Sequence, residues 1–250
     1  AQMNGRAYAI RGAEDPVVDL GPTDSVVAAT EAERVWIAGV FVGSYLLREM
    51  ATDGTTIATE TLRPTEELVG VTAGAVVLSS NRPAQVTQLV PRGGSRQRLG
   101  GTASFIASNA NAVVTAEIRG GFDYLNVDDT AHGRHASFRR GRADAARRVL
   151  PEFSDVSLSP DGSLLAANNV SPTGVTLTLI DLHTGRTVSR QAIPIANAPT
   201  AWSRDSRWLF AGVPGSGLLA IDRQGTAALV DAPVVPFSLI TVVGAPLRPH

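Results

Sequence analysis

The chain of 250 residues contains no cysteine, no lysine and no long apolar run. The absence of cysteine excludes disulfides, thiolate metal sites and cysteine nucleophiles together. No stretch approaches the ~18 consecutive apolar residues of a membrane-spanning helix, so we expect no transmembrane segment. All 22 basic residues are arginine, which is typical of a GC-rich, actinobacterial type of genome and indicates nothing about mechanism.

Charged residues are scarce, at 18%, and they nearly cancel to a net charge of −1 with a pI near 6.5. Such a chain has no global field that attracts nucleic acid or an anionic membrane, so we predict no nucleic-acid partner. Hydrophobic residues make up 44%, which is enough for a packed core and argues against disorder. We predict one domain over residues 1–250, and a monomer.

The first residues, 1–5, lack the charged-then-apolar pattern of a secretion signal. Removal of a signal or anchor ahead of Ala1 is compatible with this start. We expect an extracellular or cell-envelope location, with the cytoplasm as the alternative.

The hydrophobic pattern has period 2 rather than 3.6. Residues 176–180 and 85–89 alternate, and residues 164–167 and 75–78 are short apolar runs. Short segments of this kind, bounded by Gly, Pro, Asn and Asp, are typical of β-strands. No segment combines a sustained helical stripe with caps, so we predict an all-β fold.

Tight turns that contain glycine recur along the chain at a nearly constant spacing. Successive turn glycines are separated by 42, 40, 39, 52 and 40 residues. These glycines are Gly12, Gly54, Gly94, Gly133, Gly185 and Gly225. A unit of about 40 residues has room for four short strands, and such a small sheet must stack on neighbours to bury both of its faces.

The fifth unit contains the phrase Leu-Ser-Pro-Asp-Gly-Ser-Leu-Leu-Ala at residues 158–166. A weaker copy, Trp-Ser-Arg-Asp-Ser-Arg-Trp-Leu-Phe, follows at residues 202–210, and Asp161 and Asp205 are equivalent positions 44 residues apart. The phrase resembles the blade motif of bacterial TolB-like and WD-repeat-like β-propellers. In that family the motif closes a turn between the two inner strands of a blade, so it implies a fold and carries no chemistry.

The resemblance and the turn spacing together predict a single β-propeller of about six four-stranded blades, with five or seven as alternatives. The first unit begins at a hairpin, residues 6–10 and 17–20, with no two strands before it, and a strand pattern at residues 237–243 follows the last hairpin. We therefore expect the C-terminal strand to pair with the N-terminal hairpin and close the ring in a three-stranded composite blade. The tryptophans expected to pack between blades are Trp36, Trp202 and Trp208.

Catalytic patterns are absent from the sequence. It has no Gly-x-Ser-x-Gly elbow, no Walker loop and no dinucleotide-binding glycine loop, and its four histidines lie at turns or at the chain end. Asp128, Asp129, His132 and His135 are close in sequence, but their spacing matches no structural zinc pattern. We predict a protein that is not an enzyme and has no cofactor and no metal.

A metal-dependent propeller hydrolase or lactonase is the first alternative. Propellers of that kind hold calcium in the channel with Glu, Asn and Asp side chains from several blades. The residues of this chain at comparable loop positions are Glu66, Asn81, Asn168 and Asn197.

The longest unit holds the strongest local charge. Six arginines fall within 15 residues, and they are Arg134, Arg139, Arg140, Arg142, Arg147 and Arg148. Arginine binds carboxylate or phosphate through two parallel hydrogen bonds, so this patch favours docking of an acidic partner, an anionic ligand or lipid headgroups. The alternative is a solvated loop neutralised by Asp144, Glu152 and Asp155.

Propellers bind ligands with the loops that lead into each inner strand and with those between the second and third strands. Here these loops are rich in Asn, Ser, Arg and Pro, and they comprise residues 63–66, 80–83, 168–172, 197–199 and 213–216. From them we add Arg82, Asn168 and Asn197 to the candidate contact residues. We predict a non-catalytic binding or scaffolding propeller that engages a protein partner, with a carbohydrate- or anion-binding module as the other alternative.

Overall fold

The structure is a computed structural model that describes residues 2–3, 5–9, 17–30, 33–80, 86–142, 153–171, 174–193, 200–213 and 217–230. These residues form 23 strands and no helix, and therefore include no helix able to cross a membrane. The strands build six antiparallel sheets in chain order. The prediction of an all-β chain with about six blades is confirmed.

The chain divides into two compact units. Unit 1 comprises Ala1–Glu117 and Asp128–Arg134, and unit 2 comprises Ile118–Val127 and His135–His250. The division falls within the fourth sheet. The single domain over residues 1–250 stays a prediction.

Three sheets, and the beginning of a fourth, lie in unit 1. The strands of the first sheet are β1 (Gln2–Met3), β2 (Arg6–Ala9) and β3 (Val18–Pro22). Those of the second are β4 (Ser25–Ala28), β5 (Arg34–Phe41), β6 (Ser44–Ala51) and β7 (Thr56–Thr61). Those of the third are β8 (Glu66–Thr72), β9 (Ala75–Ser80), β10 (Val86–Pro91) and β11 (Gln97–Leu99). The fourth sheet begins with β12 (Ala103–Ser108) and β13 (Ala112–Arg119).

The remaining sheets follow the same order of strands. The fourth sheet continues with β14 (Phe122–Asp129) and β15 (Arg134–Arg142). The fifth contains β16 (Phe153–Leu158), β17 (Leu164–Ser171), β18 (Gly174–Asp181) and β19 (Thr187–Ile193). The sixth contains β20 (Thr200–Trp202), β21 (Trp208–Val213), β22 (Gly217–Asp222) and β23 (Ala227–Val230).

The first sheet differs from the expected hairpin. Strand β1 pairs with β2 through Gln2 and Ala7, so the N-terminal region alone supplies three strands. The expectation of a hairpin with one C-terminal strand missed β1, because two residues are too few to show a period. The predicted closing strand at residues 237–243 lies outside the described residues, as does Gly12.

The remaining turn glycines lie where the repeat predicted them. Each of the five turns connects the third and fourth strands of a four-stranded sheet, and the glycines are Gly54, Gly94, Gly133, Gly185 and Gly225. Gly54 and Gly225 adopt φ of 95° and 88°, which other residues reach only with strain. The repeat of about 40 residues is therefore the repeat of the sheet.

Apolar side chains on both faces of the strands pack between successive sheets. In β5, Trp36 and Ala38 pack with side chains of the third sheet, whereas Ile37 packs with the first sheet. Trp36 and Trp202 are buried, as predicted, but Trp208 is 42% exposed. Strand alternation directs the fully buried Leu209 inward and its neighbour Trp208 outward, so the prediction for Trp208 is wrong.

The two copies of the blade phrase fold in the same way. Ser159 Oγ donates to Asp161 Oδ1 at 2.7 Å, and Ser203 Oγ donates to Asp205 Oδ1 at 2.6 Å. Each serine Oγ also accepts the backbone N–H five residues later, at 2.9 Å in both copies. Ser206 takes the place of Gly162 with φ of 59°, and its Oγ accepts the backbone N–H of Asp161 at 3.0 Å. This bond joins the equivalent turns of the fifth and sixth sheets.

An arginine from the next hairpin adds a second link to Asp161. Arg223 Nη1 donates to Asp161 Oδ2 at 2.8 Å, and Nη2 donates to Ser163 Oγ at 2.8 Å. The described contacts of Asp205 stay within its own turn. Burial acts to raise the pKa of Asp161, but hydrogen bonds from Ser159 and Ser163 and the charge of Arg223 outweigh it and hold the pKa below its usual value.

Replacing Asp161 by alanine tests this link. The variant loses the acceptor of both serines and of Arg223, and we expect it to lower the free energy of unfolding by about 1 kcal/mol. Asp205→Ala is the matched control, because it removes only the bonds within one turn, and we expect a smaller effect. Urea unfolding followed by tryptophan fluorescence measures both. An equal loss in the two variants would show that the contact with Arg223 adds no stability.

The difference in the free energy of unfolding between wild type and Asp161→Ala depends on pH. A carboxyl group whose pKa is lowered on folding stabilises the fold above its unfolded pKa, ~3.9, and this contribution disappears as the pH falls through the folded pKa. We therefore expect the difference between wild type and Asp161→Ala to be full near neutral pH and to shrink in acid. A difference that is constant across this range would contradict the role of the charged form.

A candidate binding cleft and the arginine-rich strand

A cleft of about 350 Å³ opens in unit 1 where the chain leads into the first strands of the second and third sheets. Its walls come from the start of β4, the start of β6 and the loop between β7 and β8. The lining residues are Asp24, Ser25, Tyr45, Pro64, Thr65, Glu66 and Glu67. The loop at residues 63–66, which the sequence analysis placed among ligand-binding loops, thus forms one wall of a cleft.

A tight turn shapes this wall. Pro64 occupies the second position of the four-residue turn 63–66, where its fixed φ suits the geometry. The backbone N–H of Glu66 donates to the carbonyl of Arg63 at 2.9 Å, and Glu66 Oε2 accepts the backbone N–H of Arg63 at 2.8 Å. The Glu66 carboxylate therefore holds the turn closed.

The opposite wall is held by the backbone around Thr23. The Asp24 N–H donates to the carbonyl of Ala38 at 2.7 Å, and Thr23 Oγ1 donates to the same carbonyl at 2.9 Å. A Cβ on Gly39 would lie 2.9 Å from Thr23 Cα, so only glycine permits this close approach. The position of Asp24 is thus set by strand β5.

The electrostatics of the cleft are acidic. Glu66 is 3% exposed and forms an ion pair with Arg96, which also binds Glu60 at 3.0 Å. One guanidinium is therefore shared by two carboxylates. Among the described residues that line the cleft, none is basic, and Asp24 and Glu67 are exposed.

The pKa of the Tyr45 phenol reflects this acidic environment. Burial raises the pKa of its phenol, and the charges of Asp24 and Glu67 raise it further. Ser25 also lines the cleft, and its Oγ is buried without a hydrogen-bond partner among the described residues. The cleft thus offers carboxylate, phenol and hydroxyl oxygens, which suit a ligand that carries N–H donors and positive charge.

The cluster of acidic residues and histidines found in the sequence lies at and beside the turn between β14 and β15. Its members are Asp128, Asp129, His132 and His135. Asp129 Oδ1 accepts the backbone N–H groups of Ala131 and His132, and its carboxylate pairs with His132 Nδ1 at 2.9 Å. Within the described part of the chain, no three His, Asp or Glu side chains are grouped as metal ligands. Of the lactonase-type set, Glu66 is engaged by Arg96, and Asn81 and Asn197 lie outside the described residues.

The predicted arginine patch begins on a strand rather than in a loop. Arg134 and Arg139 lie on β15 with exposed side chains, and Arg140 and Arg142 belong to the same strand. Phe138 packs against Gly185 of the β18–β19 turn, where a Cβ would lie 2.5 Å from the ring. The candidate residues outside the described part of the chain are Arg82, Arg147, Arg148 and Asn197.

Asn168 was expected in a loop but lies within β17. It pairs with Leu177 of β18 and is completely buried. The loop prediction is wrong because the strand continues to Ser171, past three polar residues that the sequence pattern assigned to a loop. Contact of Asn168 with a partner stays a prediction that this burial does not favour.

Sequence reasoning missed most of the cleft. Asp24, Tyr45 and Glu67 come from three separate segments, and only the loop before β8 was considered. One repeated pattern in the sequence could have predicted the cleft. An acidic residue precedes or begins the first strand of both the second and the third sheet.

Comparison with known proteins identifies the fold. No protein-family model matches the chain, and no curated protein matches it in sequence. In contrast, 446 chains of solved structures match, which indicates a widespread architecture. The complex of KlAtg21 with the coiled coil of AgAtg16 gives a TM-score of 0.55 at 10% identity, over 82% of this chain and 70% of that chain. The fold is a WD40-like β-propeller.

Two further structures bear on how far the likeness extends. A eukaryotic initiation factor matches with a TM-score of 0.51 at 10% identity, over 90% of this chain and 53% of that chain. TolB from Acinetobacter baumannii gives a TM-score of 0.48 at 12% identity, over 84% of this chain and 55% of that chain. The propeller chain thus spans about half the length of both. At 10% identity, the likeness to the initiation factor shows the fold alone.

The electrostatics of the cleft can be tested through Tyr45. In the Asp24→Asn/Glu67→Gln double variant we expect the phenol pKa to fall, since two negative charges no longer oppose ionisation. It should stay above the ordinary tyrosine value, because burial, the largest cause of the shift, remains. Alkaline titration by phenolate absorbance measures it.

The titration is carried out with Tyr8 and Tyr124 replaced by phenylalanine, so that Tyr45 is the only one of the three tyrosines that contributes to the absorbance. Glu117→Gln, on β13 and outside the cleft lining, is the control and should leave the titration unchanged. An unchanged pKa in the double variant would contradict the proximity of Asp24 and Glu67 to the phenol.

Proposed function

We propose that this propeller is a non-catalytic protein-binding module whose acidic cleft accepts an arginine or lysine side chain of a protein partner. The observation that carries the proposal is the cleft around Tyr45, with Asp24 and Glu67 exposed and no basic residue among its described lining. A volume of about 350 Å³ lies at the small end of ligand pockets, which suits a single side chain better than a large molecule.

The chemistry of the lining favours a cation with several N–H groups. Carboxylate oxygens accept such hydrogen bonds at roughly twice the strength of neutral acceptors. Glu66 contributes less, because Arg96 and the Arg63 amide already occupy its oxygens. We assign direct contact to Asp24 and Glu67, because both are exposed in the cleft lining.

Apolar side chains beside the cleft support a polypeptide as the ligand. Val40 is paired with Tyr45 across β5 and β6, so the two side chains share a face of the sheet, and Val40 is 58% exposed. Val42 is fully exposed at the turn with φ of 49°, an unfavourable conformation for a β-branched residue. A partner segment with a basic residue next to an apolar one fits both features.

The structural comparison supports the same class of function. One neighbour of the fold is solved in complex with a coiled coil, so that propeller binds a protein. An extracellular or cell-envelope location and a monomeric state stay predictions for this chain. Cell fractionation and solution scattering test them.

Peptide-display selection on the immobilised protein tests the proposed function. On wild type we expect the enriched peptides to contain arginine or lysine, with apolar residues beside them. The Asp24→Asn/Glu67→Gln variant should lose this enrichment, whereas the Glu117→Gln control should keep it. Enriched peptides without basic residues, or equal retention by the double variant, would overturn the proposal.

A further inference from the structure

Two arginine side chains lie on aromatic rings in the fourth sheet. The guanidinium carbon of Arg139 lies 4.5 Å from the centroid of the Phe122 ring, and that of Arg119 lies 4.1 Å from the centroid of Tyr124. All four residues belong to unit 2. Stacking of this kind is attractive, and it leaves the N–H edge of the guanidinium open to a ligand.

The two stacks share one face of the sheet. Phe122 and Tyr124 are two residues apart on β14, as are Ser137 and Arg139 on β15, and side chains two apart on a strand point to the same side. Arg119 Nη2 donates to Ser137 Oγ at 3.0 Å, which joins the two strands on this side. We call this surface, formed by Arg119, Phe122, Tyr124, Ser137 and Arg139, the arginine–aromatic face.

Hydrogen bonds hold part of the arginine–aromatic face in place. Ser137 Oγ, which accepts from Arg119, donates to Asn126 Oδ1 at 2.7 Å, and Asn126 is 2% exposed. The Arg119 guanidinium is thus connected to the interior of the sheet through one hydroxyl. A side chain that is ordered before binding loses less entropy when a ligand arrives.

Arg139 carries an exposed positive charge on the arginine–aromatic face. Its side chain is exposed, and within the described part of the chain it contacts no carboxylate. A carboxylate binds an exposed, stacked guanidinium through two parallel hydrogen bonds, so Arg139 suits an acidic ligand.

We propose that the arginine–aromatic face binds an acidic segment of a protein partner, with Arg139 as its main contact and Phe122 as the ring that orients it. Single-stranded nucleic acid fits less well, because its bases need free aromatic faces and these faces carry guanidinium groups. This inference is independent of the acidic cleft.

The test uses a fluorescein-labelled hexaglutamate peptide, with hexaglutamine as the uncharged comparison, and measures binding by fluorescence anisotropy. Wild type should bind hexaglutamate and not hexaglutamine. Arg139→Ala should weaken binding on the order of tenfold. Arg139→Lys keeps the charge but loses the planar pair of donors, so its binding should be intermediate. Phe122→Leu keeps Arg139 but removes its ring, and it should also weaken binding.

Arg186→Ala is the matched control, since Arg186 is another exposed arginine of unit 2, and it should bind as wild type does. Thermal melting of each variant confirms that it is folded. The proposal is wrong if wild type does not bind hexaglutamate, or if Arg186→Ala loses as much affinity as Arg139→Ala. It is also wrong if an oligothymidine strand or phosphatidylglycerol vesicles bind more tightly than the peptide with the same dependence on Arg139.

Discussion

The inner strands of these sheets bury apolar side chains on both of their faces, as β9 does with four consecutive buried residues, and the rest of the structure depends on that constraint. In the third sheet, Val76 and Leu78 pack toward the second sheet, while Ala75 and Val77 pack toward the fourth. A sheet of four short strands cannot cover both faces alone, so every sheet requires a neighbour. This explains the apolar runs in the sequence, because a strand covered on both sides needs no polar face.

Polar contacts between sheets occur along the strands, as from Thr87 Oγ1 to the carbonyl of Ala103, and also at turns. In unit 2, Arg223 and Ser206 reach the Asp161 turn of the preceding sheet. In unit 1, Arg96 reaches Glu60 and Glu66 in the same manner. The Arg223–Asp161 pair is half-exposed and therefore adds little energy, whereas the carboxylate of the Arg96–Glu66 pair is buried.

The parts of the fold that sequence reasoning found are those with local signals. The phrase at residues 158–166 predicted a turn that the structure contains, with Ser159 and Asp161 in the expected bonds. Strand β1 was not predicted because its two residues are too few to show a period. Asn168 was assigned to a loop because a buried polar residue in a strand has the same local pattern as a loop residue. Local pattern identifies turns, whereas burial depends on which sheet lies opposite.

The candidate sites show the same limit more sharply. Asp24, Tyr45 and Glu67 are more than 20 residues apart in sequence, and only the stacking of the second and third sheets brings them together. The arginine patch was visible because its members fall within 15 residues, yet the ring on which Arg139 stacks, Phe122, lies on another strand. Reasoning from one sequence detects clusters along the chain, whereas a repeat fold assembles its surfaces across units of the repeat.

The two surfaces have opposite charge on a chain whose net charge is −1. Because the charges cancel overall, long-range steering is weak, and recognition must come from contacts at short range. At short range, the geometry of the contacts decides specificity, and both surfaces have fixed geometry. The cleft has a closed turn and a buried carboxylate, and the fourth sheet has ring-stacked guanidinium groups. If both proposals hold, the propeller discriminates between partners by charge, because an acidic surface and a basic surface favour ligands of opposite sign.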